Sequence, residues 1–287
     1  MTAARTPCPT TARRAPEPVE PGLLSRALEV AGRLANDAAE VISATLGGGA
    51  RHGAHPGAGT KANPFDWVTD TDRTLERHTR RVLAAEFPSF PVLGEEYGAP
   101  APSTSAAAAH APMCWVVDPV DGTANYVAGL PWCAYSLALV DGGGPAVGVI
   151  ADPGRGQIYA AGRGRGFRAN GVPVPPPEPD GVAGALVCAE DPSAGFVAGV
   201  REAHAGVRVL GSAALAVTQV ALGHAVAAVL ERYHDWDVAG ALCLAAEAGA
   251  VVVDRDGRAD PMPTGGLVVA MPQVLDDVYR LWSAPDR

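Results

Sequence analysis

Two aspartates, Asp118 and Asp121, stand either side of Pro119-Val120, directly after the apolar run Cys114 to Val117. Such a run reads as a buried strand, and the proline obliges the chain to turn where the carboxylates begin. Two hard oxygen donors three residues apart at a strand end suit Mg2+. Gly122 and Thr123 follow, with Asn125 close behind. A glycine lets the backbone approach a ligand closely, and free N–H groups at a helix start receive phosphate oxygens. An acidic turn with a capping role is the alternative reading of these residues, because Asp, Gly and Thr are all common in turns.

Three other segments carry carboxylates in comparable places. Gly94-Glu95-Glu96 follows the short apolar stretch Phe90 to Leu93, where the alternative is a solvated turn. Asp237, after Trp236, sits at the N-terminal edge of an apolar helix and suits either a ligand or a first-turn carboxylate facing the helix dipole. Asp66 to Asp72 places three acidic residues before another helix, with Lys61 upstream. There Asp72 either orients a catalytic hydroxyl or caps the helix. His234 reads as a packed or surface imidazole, since Mg2+ prefers oxygen ligands.

The elements that must position these residues follow from periodicity. Residues 1–21 are proline-rich and read as a disordered leader. Leu23 to Leu46 repeats apolar residues at helical spacing and ends at Gly47-Gly48-Gly49. A second helix is expected after Asp72, capped by it and stopped at Pro88. Residues 53–60 and 99–111 read as loops. Ala134 to Val140, Ala146 to Ile150 and Gln157 to Ala161 read as an antiparallel sheet. Beyond the proline-rich stretch Pro173 to Gly181, strands and helices alternate up to the strand Val251 to Asp254, which predicts a layered α/β second half. The expected division is therefore a leader, residues 1–21, an α+β subdomain, 22–180, and an α/β subdomain, 181–287.

Composition narrows the function classes. The 287 residues are 48% hydrophobic, ample for a large core. A net charge of −9 argues against a nucleic-acid grip built on phosphate neutralisation, so an anionic substrate would need bound cations. No run of about 20 apolar residues predicts a membrane span. Five scattered cysteines without CxxC spacing suit a reducing compartment, and the expected location is the cytoplasm. Every one of the 22 basic residues is arginine except Lys61.

Lys61 with DWVTDTD, then GEE, WVVDPVDGTANY, GSAA and WDVAG, resemble in order and spacing the inositol monophosphatase family, over about residues 23 to 282. The resemblance implies an alternating αβαβα sandwich of the inositol monophosphatase and fructose-1,6-bisphosphatase type. It implies two or three Mg2+ ions: Glu95, Asp118 and the Val120 carbonyl around one, Asp118, Asp121 and Asp237 around a second, and Glu95 contributing to a third. By the same likeness Thr123 works with Glu95 to position the attacking water, and Asp72 holds the Thr123 hydroxyl. Backbone around Gly122 and Thr123 would receive the phosphate. Asp121, Ser212, Ala213 and Glu231 would meet the substrate, Lys61 would lie in a nearby loop, and a homodimer would form.

The expected activity is Mg2+-dependent hydrolysis of inositol monophosphate or a similar phosphorylated polyol. Histidinol phosphate, 3′-phosphoadenosine 5′-phosphate and fructose 1,6-bisphosphate are the alternatives within the class. A non-catalytic regulatory binding module is the alternative outside it.

Overall fold

The computed structural model describes residues 18–46, 59–60, 67–99 and 113–284. Lys61, most of the leader, residues 53–58 and nearly all of the 99–111 loop lie outside the described residues.

Helix α1 (Pro21–Thr45) begins where the Glu20 carboxylate accepts the N–H groups of Gly22 and Leu23, at 2.8 and 2.6 Å. Proline at its first position needs no N–H partner. Leu24, Ala27, Ala31, Leu34, Ala38 and Ile42 form its buried stripe. Val41, an apolar residue of the same run, faces outward and is exposed. Strands β1 (Gly59–Thr60) and β2 (Trp67–Val68) pair in a small ribbon.

Helix α2 (Asp70–Glu86) corrects the expected start. Thr69 is the cap, with extended backbone, and Asp72 is the third helical residue, its carboxylate accepting the Thr69 N–H at 2.9 Å. The two form a reciprocal capping box, which satisfies one donor more than a lone aspartate cap would.

A seven-stranded sheet follows in the order β3 (Val92–Gly94), β4 (Met113–Asp121), β5 (Ala134–Asp141), β6 (Gly144–Asp152), β7 (Gln157–Gly162), β8 (Gly166–Ala169) and β9 (Val172–Pro173). Only β3 and β4 run parallel; the remaining pairs are antiparallel, as the alternation predicts. Between β4 and β5 lies the short helix α3 (Thr123–Ala128).

Strand β4 does not end at Val117. It runs through the acidic motif, and its register with β5 shifts between Asp118, opposite Ser136, and Asp121, opposite Ala134. Two residues of β4, Pro119 and Val120, therefore oppose one of β5: a β-bulge, which accommodates a proline that cannot donate to the ladder.

The second half forms a five-stranded sheet ordered β11 (Gly206–Arg208), β10 (Leu186–Glu190), β12 (Ala227–Leu230), β14 (Leu267–Ala270) and β13 (Val251–Val253). The first three strands are parallel, and β14 runs antiparallel to β12 and β13. Helices α4 (Ala194–Glu202), α5 (Ala213–Ala221), α6 (Asp235–Glu247) and α7 (Leu275–Ser283) complete the described chain.

Helices α1 and α2 cover one face of the large sheet, and α6 packs on the other. With α5 it lies between the sheets, while α4 and α7 cover the outer face of the small one. The result is the αβαβα sandwich. Sandwiched on both sides, α5 is buried over eight consecutive residues, Ala214 to Ala221, which explains its largely apolar sequence; its two polar residues, Thr218 and Gln219, donate to the helix's own carbonyls of Ala214 and Leu215. The connection between β9 and β10 joins the two sheets.

Candidate active site

The bulge in β4 aims both of its aspartates into one buried corner, where Asp118 is 2% exposed and Asp121 7%. Asp118 accepts the Val120 N–H at 3.0 Å. Asp121 reaches the start of α5, accepting the Ala214 N–H at 2.9 Å and the Ser212 hydroxyl. Ser212 is the cap of α5, its oxygen accepting the Leu215 N–H at 3.2 Å, and Ala213 is the first helical residue. One hydroxyl thus ties the helix start to a strand of the other sheet.

Asp237 arrives from α6. It is the third helical residue, and its carboxylate accepts the N–H of the cap residue His234 at 2.6 Å. The His234 ring stacks on Trp236, with centroids 4.6 Å apart. Carboxylate oxygens of Asp118, Asp121 and Asp237 lie within 4.8 Å of one another, and those of Asp72, Glu95 and Glu96 form a second such group.

The clusters adjoin. Asp118 feels Glu95, both as a charge and through a hydrogen bond. Thr123 stands between them: its hydroxyl lies 2.9 Å from the Val120 carbonyl and 3.4 Å from Asp72 Oδ1. Tyr126 of α3 bonds Thr71 of α2 at 2.9 Å, which anchors the helix carrying Thr123 against the one carrying Asp72. Gly122 adopts φ +84°, and a Cβ there would fall 2.7 Å from the Trp132 carbonyl oxygen, so the turn before Thr123 requires glycine.

The electrostatics require a counter-charge. Burial, then Glu95, Asp121 and Asp237, push the Asp118 carboxyl well above its ordinary range. Burial raises Asp237 well above it too, followed by the charge of Asp121. Asp121 is pushed up to about 7 by burial, against the opposing hydrogen bonds from Ser212 and Ala214. Asp72 rises to about 6, chiefly through burial. Carboxylates gathered this closely resist ionisation unless a cation joins them. Hard, anionic oxygens on both sides of one hydroxyl fit divalent Mg2+.

Some predicted residues are placed elsewhere. Glu231 belongs to neither carboxylate group: it accepts Trp282 Nε1 at 2.5 Å and pairs with Arg255. Other residues escaped the sequence reading. Glu76 and Arg80 hold the Glu95-Glu96 turn from α2, and Glu190 accepts the N–H groups of Leu210 and Gly211 at 3.0 Å, shaping the approach to Ser212. The spacing of Glu76, four residues after Asp72 on one helical face, is the signal that was available.

A layered α/β sandwich whose inner corner gathers carboxylates beside the Thr123 hydroxyl defines the class of metal-assisted hydrolases. Within that class the chain belongs to the inositol monophosphatase family, whose pattern it matches over residues 23–282. The chain is 35% identical over 272 residues to the inositol-1-monophosphatase of Mycobacterium bovis, covering 88% of this chain and 92% of the relative. It is 34% identical over 240 residues to inositol monophosphatase 2 of Mus musculus, covering 80% of each. The solved inositol monophosphatase of Anabaena (Nostoc) sp. PCC 7120 superposes with a TM-score of 0.77 at 25% identity, over 92% of this chain and 98% of that one. The protein is a phosphatase of this Mg2+-dependent family. Among the described residues no helix is long and apolar enough to cross a membrane.

Proposed function

We propose that the protein hydrolyses inositol monophosphate or a closely similar phosphorylated polyol. The observation that carries this reading is the meeting of Asp118, Asp121 and Asp237 within 4.8 Å beside a threonine hydroxyl 3.4 Å from Asp72. Relatives at 34 and 35% identity bearing the name inositol monophosphatase support the substrate class. Mg2+ held there would supply activated water and neutralise charge on the leaving oxygen.

In this reading Glu95, Asp118 and the Val120 carbonyl would hold one ion, and Asp118, Asp121 and Asp237 a second, with Glu95 contributing to a third. The Thr123 hydroxyl, oriented by Asp72, aligns the attacking water together with Glu95. The hydroxyl has a single proton and two acceptors in reach, the Val120 carbonyl at 2.9 Å and Asp72 Oδ1 at 3.4 Å; with the carbonyl engaged by an ion, the proton would pass to Asp72 and leave the lone pairs for the water. Backbone of Gly122 and Thr123 receives the phosphate, and Asp121, Ser212 and Ala213 flank the departing alcohol. For Glu231 to reach a substrate hydroxyl it must leave Arg255 and Trp282. Glu231→Gln therefore separates a substrate role, seen as a raised KM, from a structural one, seen only in stability.

A purely regulatory module would have no use for a hydroxyl poised between two metal-binding groups, so catalysis is the better reading. The test is phosphate release from a panel of inositol, histidinol, nucleotide and sugar phosphates with Mg2+. Asp118→Asn should lower turnover by at least about 100-fold, the loss expected when a bridging ligand fails. Release from no member of the panel, or full activity in the variant, would overturn the proposal.

We also place the protein in a reducing compartment as a homodimer. Cys114, Cys133, Cys188 and Cys243 are free and buried, in keeping with the cytoplasm. Leu130, Trp132 and Val209 stand 42, 46 and 58% exposed, apolar area of the kind a second copy covers. A division into subdomains at about residue 180 would fall in the connection between β9 and β10.

A further inference from the structure

Helix α2 carries more of the site than Asp72. One helical turn further on, Glu76 is fully buried, yet its carboxylate faces neither carboxylate cluster. It faces the backbone of the turn that follows β3: Oε2 accepts the Glu96 N–H at 2.7 Å, and Oε1 the Tyr97 N–H at 3.2 Å. Arg80, the next turn along the same face, donates through Nε to Glu76 Oε1 at 2.8 Å. Its two remaining nitrogens bond the carbonyl of Val92, at the start of β3, at 2.9 Å and that of Gly98, at the far end of the turn, at 2.5 Å. The guanidinium also lies 6.0 Å from the centre of the Tyr97 ring.

This geometry is a clamp on one short segment. A carboxylate grips the turn's N–H groups, a guanidinium grips its carbonyls, and the two grip each other. Gly94 is pressed against the clamp so closely that a Cβ would fall 2.2 Å from Glu76 Oε1. Desolvation offsets much of the attraction in such a pair, so its net contribution to stability is small and the geometry it fixes is its main consequence. What it specifies here is the position of Glu95 and Glu96, whose carboxylates join Asp72. Helix α2 thereby sets, as one rigid body, both Asp72 and the turn opposite it.

We propose that Glu76 and Arg80 are positioning residues of the metal centre, acting on bound Mg2+ through the Glu95-Glu96 turn. This inference rests on the assignment of Glu95 as a metal ligand under Proposed function. Partners that orient ligands in this way change metal affinity by about 10–100-fold when removed.

The experiment uses the full chain stripped with EDTA and titrated with Mg2+, with melting temperature followed alongside phosphate release from p-nitrophenyl phosphate. Glu76→Gln and Arg80→Lys should each move the Mg2+ midpoint of stabilisation upward by about 10–100-fold, with turnover shifting to the same higher range of Mg2+. A role in folding alone would lower the melting temperature equally with EDTA and with saturating Mg2+ while leaving the midpoint in place, and that result overturns the proposal. If Glu76→Gln does not fold, Arg80→Lys carries the test, because it keeps a cation beside Glu76 but cannot span both carbonyls. Glu95→Gln is the control. A midpoint unmoved by that change would locate the failure in the ligand assignment, whereas a midpoint moved by Glu95→Gln alone would locate it in the clamp.

Discussion

Thr123 is the smallest unit on which the proposed chemistry turns. Its hydroxyl has Asp72 on one side and the Val120 carbonyl on the other. Thr123→Ala should reduce kcat by about 100-fold or more, the usual worth of a group that handles a reacting proton, whereas Thr123→Ser should retain most of it. Steady-state rates at saturating Mg2+ check both. The carboxylates around it give a second prediction. Asp121 titrates near 7 and Asp72 near 6 in the folded chain, against an ordinary value of 3.8. Between those values the folded state holds more protons than the unfolded one, so stability without metal falls as pH rises from about 4 to about 7. Each retained proton contributes a slope of about 1.4 kcal/mol per pH unit. Urea unfolding in EDTA across that range should show the decline, and saturating Mg2+ should abolish it by favouring the ionised carboxylates.

At the scale of elements, the start of α5 is where the two sheets are joined. The Ser212 hydroxyl caps the helix and at the same time bonds Asp121 in the bulge of β4. Asn125 makes a second tie, donating from α3 to the carbonyls of Trp132 and Leu210, both at 2.8 Å. Ser212→Ala removes a cap worth about 1 kcal/mol and leaves Asp121 buried with one donor fewer, which costs a further 1–3 kcal/mol, roughly. Denaturation midpoints should fall accordingly. Mg2+ should bind more weakly in the same variant, because Asp121 loses the contact that fixes its orientation.

For the whole molecule, every proposed ligand but Asp237 comes from the first half of the chain, and Asp237 comes from a helix sandwiched between the sheets. Binding of Mg2+ should therefore stabilise the halves together: a single melting transition is expected to move upward with metal concentration, as calorimetry would reveal. If the exposed Leu130, Trp132 and Val209 are covered by a second copy, light scattering should give twice the chain mass. Trp132→Glu should then halve that mass by placing a charge in apolar contact.

Which residue types gather here is legible in the order of amino acids alone. The runs DPVDGT, GEE and WD each stand at the border of an apolar element, and that pattern is local: a strand or helix announces itself by its period, and the carboxylates mark its end. The same order also determined most strand and helix positions, although β1, which falls in the stretch read as a loop, and β2, β8, β9, β14 and α7 are not legible in it. All of these strands are only two to four residues long, and the LVVA of β14 becomes a strand through pairing with β12 and β13, which local pattern does not contain. The rest follows from how distant elements pack. Asp72 moved from cap to third helical residue because Thr69 made the better reciprocal box. The acidic motif moved from strand end into a bulge because β5 continues alongside it. Glu231 turned to Arg255 and Trp282, and Glu76 and Arg80, unremarkable on a helix, became a clamp on a distant turn. Periodicity along the chain fixes where a side chain can point, but its partner is set by which element folds against it, and that is a property of packing between residues far apart in sequence.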